Sequence, residues 1–263
     1  MQTGVTAPAM ASWIRFMCGV SLGLVLGVAV DADTQEGATI SGVVRYTGAI
    51  PTAKLADNEG KHRAKLSVNP SNGGLAYAMV YLALTDGQTP PVTGDVDDLA
   101  KVTIEQVDYE FHPRVVGVRP GQTVAIGNQD YANHNVRATA LNSFNAFNVM
   151  TPADGAYERV LKEEPAGGPI RLSCDIHPWM SGWIYVFDHP WFDVTDDAGQ
   201  FKIERIPPGH YTLRIVQPDV KLSAQTELEV KTGMSLTAEI DFSHELLGQK
   251  AEGTIHMRKE TQP

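Results

Sequence analysis

Seven consecutive residues, Cys174-Asp175-Ile176-His177-Pro178-Trp179-Met180, carry a thiolate, an imidazole and a thioether at three-residue intervals between two β-type runs. A short loop of this kind can turn all three groups toward one ion. Soft sulfur stabilises Cu(I) and imidazole nitrogen keeps Cu(II) accessible, so a thiolate with two imidazoles and a weak axial thioether suits a copper ion that cycles between the two. The loop supplies only one imidazole, and the second must come from another strand. His134, in Asp130-Tyr131-Ala132-Asn133-His134-Asn135-Val136, is the candidate, because it opens a strand at the end of a loop. The expected set for one mononuclear copper is therefore His134, Cys174, His177 and Met180.

Each of these residues has a plainer use. A free cysteine is often a small buried hydrophobe, and methionine beside Trp179 and Trp183 is often core filling. His134 could be a hydrogen-bonded structural histidine. Trp179, Trp183 and Trp191 cluster in sequence in and after the loop and serve either packing or an apolar docking patch around the His177 edge. His112 sits between Phe111 and Pro113 where any residue is tolerated, His189 and His210 lie at turns, and His62, His244 and His256 fall in polar segments, so all six are expected to be structural or exposed.

The compartment sharpens the reading of Cys174. Arg15, the apolar run Phe16 to Val30 and the small residues at Val30-Asp31-Ala32 form a signal-peptide pattern over residues 1–32, with cleavage expected after Ala32. The run is about fifteen residues, short of the roughly 20 that span a bilayer, and membrane association is expected only if the segment stays uncleaved. The mature protein is then periplasmic or secreted, and Cys18 leaves with the signal. Cys174 becomes the sole thiol in an oxidising compartment where cysteines are normally paired, and metal ligation explains that.

The 263-residue chain is 43% apolar and carries a formal charge of -10, which processing leaves unchanged because Arg15 and Asp31 depart together. An acidic surface excludes nucleic acid as a partner, since phosphate binding needs clustered Lys and Arg. No paired carboxylates, phosphate-cradling glycine loop or nucleophile elbow stands out. The chain is read as a non-enzyme with no evident small-molecule substrate.

The elements that must position the four donors are strands. Short β-branched or alternating runs bounded by Gly, Pro, Asn and Asp recur at Ala38 to Tyr46, Ala78 to Leu84, Val102 to Val107, Thr123 to Gly127, Ile170 to Ser173, Trp183 to Phe187, Phe201 to Ile206, Tyr211 to Val216 and Ser235 to Phe242. The fold class is all-β. Asp196-Asp197-Ala198-Gly199 and Pro207-Pro208-Gly209 are tight-turn signals. Residues 50–75 read as a long polar loop, and 244–263 as a polar tail.

Two resemblances follow. Phe111-His112-Pro113, Val118-Arg119-Pro120-Gly121-Gln122-Thr123-Val124 and Asn128-Gln129-Asp130, followed by His134 and the C-x-x-H-x-x-M loop, resemble the cupredoxin family, with the short metal-loop spacing of amicyanin. Asp193 to Val216, with its D-x-x-G-x-F and I-P-P-G-x-Y-x-L segments, together with Ile40-Ser41-Gly42-Val43-Val44 and Ala78 to Leu82, resembles the prealbumin-like sandwich of carboxypeptidase regulatory-like domains. The combination is similar to exported proteins labelled methylamine utilisation protein.

These resemblances imply a discontinuous regulatory-like β-sandwich over 37–93 and 188–243, with a Greek-key cupredoxin sandwich over 94–187 inserted in or joined to it. They imply His134, Cys174 and His177 as equatorial copper ligands and Met180 as the axial one, with Asn135 tying the two ligand loops together. The expected function is periplasmic electron transfer with a redox partner protein. A copper-delivery role and a non-redox interaction module are the alternatives.

Overall fold

A computed structural model describes residues 37–50, 66–84, 99–165, 168–243 and 251–259. The signal-peptide reading, His62 and His244 lie outside the described residues. In chain order the strands are β1 (Ala38–Tyr46), β2 (Met79–Leu84), β3 (Val102–Val107), β4 (Glu110–His112), β5 (Val115–Val118), β6 (Thr123–Asn128), β7 (His134–Thr139), β8 (Phe147–Thr151) and β9 (Ala156–Val160). They continue as β10 (Pro169–Ser173), β11 (Ser181–Val186), β12 (Phe192–Val194), β13 (Gln200–Ile206), β14 (Gly209–Gln217), β15 (Leu222–Val230), β16 (Ser235–Phe242), β17 (Ala251–Glu252) and β18 (Thr254–Lys259). The protein is all-β, with a 3-10 turn at Ser143–Asn145 and no α-helix among the described residues.

The strands form two sandwiches. In the first, the sheet β13-β1-β16-β18 packs on β12-β2-β14-β15-β17 around Ile40, Val80, Leu213, Ile215 and Ile240. Alternation builds this core: along β14, Tyr211, Leu213 and Ile215 are buried while Thr212, Arg214 and Val216 are not. In the second, β5-β11-β10-β7-β8 packs on β4-β3-β6-β9 around Ile104, Phe111, Ile126, Val136 and Leu172. The chain leaves the first sandwich after β2, builds the second from β3 to β11, and returns at β12. A smaller cluster of Met79, Val115, Tyr185 and Phe187 joins the two.

The two expected turns differ. At the first, Asp196 Oδ1 accepts from the N–H groups of Ala198 and Gln200, and glycine is required at 199 because φ is +76° and a Cβ there would lie 2.2 Å from the Val44 carbonyl oxygen. At the second, Gly209 does not use its left-handed freedom but already begins β14, and the positive φ falls on Arg205. The polar tail also holds more than sequence suggested, since β18 pairs antiparallel with β16 from Leu236↔Lys259 to Asp241↔Thr254.

Candidate metal centre

Three strand ends of the second sandwich meet at one edge. His134 is the first residue of β7, Cys174 follows the last residue of β10, and His177 and Met180 lie in the short connection to β11. β7 and β10 pair antiparallel, with Ser173 opposite Arg137, so the start of one strand lies beside the end of the other. Asn135 locks this junction. Its Oδ1 accepts from the Asp175 N–H at 2.7 Å and from the Cys174 thiol at 3.4 Å, while its Nδ2 donates to Asp175 at 3.1 Å. Inside the connection, Met180 N–H donates to the His177 carbonyl at 3.0 Å, which closes the loop into a turn.

The turn brings three donors together. His134 Nδ1 and His177 Nδ1 are 2.8 Å apart, and Cys174 Sγ is 4.0 Å from the first and 3.7 Å from the second. His134 is 0% exposed, Cys174 2%, His177 6% and Met180 1%. Met180 and Cys174 are both buried and belong to the same apolar cluster. Among the described residues, this is the one grouping of three or more His, Cys, Asp or Glu side chains placed to share an ion.

The hydrogen bonds behind the donors determine which atoms face inward. Asp130 Oδ2 lies 2.8 Å from His134 Nε2, and a carboxylate only accepts, so Nε2 carries the proton and Nδ1 offers its lone pair to the site. Asp130 is itself held by Asn128, whose Oδ1 accepts from the Asp130 N–H at 3.0 Å and whose Nδ2 donates to the carbonyls of Ala132 and Thr151. Burial pushes the His177 imidazole below its usual pKa and neighbouring His134 pushes the same way, against Asp130, so the net shift favours the neutral form that can ligate. Outside the site, Arg137 grips Asp175 through two bonds of 2.7 Å and holds that carboxyl below its usual range.

Every residue expected at the site is thus at the edge shared by β7, β10 and β11, and Asn135 bridges the loops. Sequence reasoning missed Asp130 as the partner of His134, although a carboxylate four residues before a candidate ligand in a loop was a usable signal. It also missed Tyr109, whose ring stands at right angles to both imidazoles, 5.4 Å from His134 and 4.9 Å from His177 between centroids. Of the other histidines, His189 is buried and stacked between Phe187 and Trp191 at the junction of the sandwiches, which fits a structural role.

No family model and no curated protein matches the chain. Among solved structures, a purple cupredoxin from Nitrosopumilus maritimus is 24% identical over 33% of this chain and 99% of its own, with a TM-score of 0.28. Amicyanin from Paracoccus versutus is 21% identical over 41% of this chain and 98% of its own, with a TM-score of 0.30. A copper-containing nitrite reductase from Thermus scotoductus is 23% identical over 38% of this chain and 25% of its own, with a TM-score of 0.31. The functional reading therefore rests on the geometry of the site itself.

Proposed function

We propose that this chain is an exported electron-transfer protein that holds one copper ion through His134, Cys174 and His177, with Met180 as a weak fourth ligand. The observation that carries the reading is the size of the donor triangle. A point equidistant from the two Nδ1 atoms and Sγ lies inside the triangle at about 2.1 Å from each, close to the ~2.0–2.1 Å and ~2.3 Å at which imidazole and thiolate bind first-row metal ions. A thiolate and two imidazoles in one plane beside a thioether is the arrangement that copper uses for electron transfer. Two ring nitrogens 2.8 Å apart also need either a cation that both bind or a proton between them.

Bound there, copper supplies one-electron chemistry between Cu(I) and Cu(II). The chain's own residues bind it, orient it and exclude water. Asp130 fixes the tautomer of His134, Asn135 holds the Cys174 and His134 segments in register, and the apolar cluster around Met180 keeps the site dry. Tyr131, Met150 and Ile176 are exposed apolar side chains on the segments that carry or neighbour the ligands, a surface suited to a protein redox partner. Nothing about this donor set calls for a substrate, and we read the protein as a carrier rather than an enzyme.

Voltammetry of the copper-loaded protein, run beside a challenge with a Cu(I) chelator, tests the role. A reversible one-electron wave with copper retained over hours is expected. Rapid surrender of Cu(I) to the chelator would point instead to copper delivery and overturn the carrier reading.

A further inference from the structure

The hairpin between β3 and β4 turns on two residues, Asp108 and Tyr109, with φ of 51° and 61°, between the paired Val107 and Glu110. A two-residue hairpin loop with left-handed backbone at both positions is the turn that Asn-Gly or Asp-Gly normally fills. Asp tolerates that conformation, whereas a bulky side chain adopts it only where the surroundings enforce it. Here Asp130 enforces it: Oδ1 accepts from the Asp108 N–H at 2.8 Å and Oδ2 from the Tyr109 N–H at 2.9 Å. The same Oδ2 lies 2.8 Å from His134 Nε2. One carboxylate therefore ties a strained turn to the first imidazole.

The strain places an aromatic ring that glycine could not supply. Tyr109 stands at 89° to His134 and 88° to His177, and it leans on Trp179 at 6.4 Å. His134 and His177 are buried, and the partly exposed Tyr109 is in edge contact with both, so its ring borders the pair. Contact with both imidazoles by one ring also restricts their mutual angle.

We propose that Tyr109 is a positioning residue of the metal site, held in a left-handed conformation so that its ring closes the solvent side of the His134–His177 pair against small ligands. This rests on the copper reading above. The backbone cost separates from the ring's role in a simple series, because Tyr109→Gly and Tyr109→Ala both delete the ring while only glycine relieves the turn.

Two measurements test it. Azide or imidazole is titrated into the Cu(II)-loaded wild type and the Tyr109→Phe, Tyr109→Ala and Tyr109→Gly variants while the absorption spectrum is followed. The metal-free proteins are melted in parallel. Wild type and the phenylalanine variant are expected to resist the ligand, and the other two to bind it on the order of tenfold more tightly. The metal-free glycine variant is expected to melt about 2–4 °C above the alanine variant. Equal access in all four proteins, or an alanine variant as stable as the glycine one, overturns the inference alone. A wild type without a thiolate-to-copper band overturns the copper reading and this inference with it.

Discussion

The two sandwiches are built from similar strands but use their interiors differently. The first has an apolar interior of Ile40, Leu82, Leu213, Ile215 and Phe242, and its buried polar groups Thr195 and Gln217 stand at strand ends, just after β12 and at the last residue of β14. The second has a comparable apolar belt but gathers His134, Asn135, Asn128, Thr151, Gln106 and His177 at one edge. Buried polar groups weaken a core unless each finds a partner, and most of these are tied to one another or to backbone. Thr151 donates to Gln106 at 2.6 Å, Asn128 serves two carbonyls, and Asn135 joins two loops. The difference is one of placement: the first sandwich keeps an apolar centre, and the second gathers buried polar groups around the proposed ligand set.

Substitutions in the two regions should therefore separate stability from metal binding. Leu213→Ala, in the middle of the first core, is expected to lower unfolding free energy by about 2–5 kcal/mol in a denaturant titration and to leave copper affinity unchanged. Loss of copper binding in that variant, with the fold intact, would break the proposed division of labour.

The junction between the sandwiches contributes next, through pH. Burial pushes His189 down to about 4 from an ordinary 6.5, with Asp188 raising it in part and Arg119 lowering it. The unfolded chain takes up a proton near 6.5 and the folded chain only near 4, so stability from this residue is complete above 6.5 and falls as pH drops through that window. The loss amounts to about 3 kcal/mol at its limit. Metal-free His177 titrates with the same sign, so the His189 share is the part of the acid slope that His189→Gln removes. An unchanged slope in that variant would place the acid sensitivity elsewhere.

Smaller effects belong to the supporting residues of the second sandwich. Asp130→Asn removes the charge behind His134 and is expected to weaken copper affinity by roughly 10–100-fold in a competition titration. Arg137→Ala breaks an exposed, solvent-screened ion pair with Asp175 and should leave the unfolding midpoint almost unchanged in a denaturant titration, with the site's spectrum preserved. A spectral shift there would mean that Asp175 does more than brace the surface of the loop.

The parts legible in the sequence were those where local pattern and tertiary role agree. Tyr211, Leu213 and Ile215 alternate in sequence and in burial, and Ser235–Phe242 alternates without a break. The Cys174 loop was legible because its donors are three residues apart and its flanking strands are apolar. β15 was missed because LSAQTELEV carries few large apolar residues, although Leu222 and Ala224 face the core. β18 was missed because its side chains are largely exposed and its place comes from pairing with β16. Asp130 and Tyr109 show a different limit. One acts across a turn from residues about twenty positions upstream, and the other adopts a backbone conformation that its residue type disfavours.

The most direct test of the central claim is the visible absorption and EPR spectrum of the protein after addition of one equivalent of Cu(II), with Cys174→Ser measured alongside. The account predicts an intense thiolate-to-copper band and a single copper signal in the wild type, with the band gone from the variant. A wild type that binds copper without that band, or a band that survives removal of the Cys174 sulfur, would contradict it.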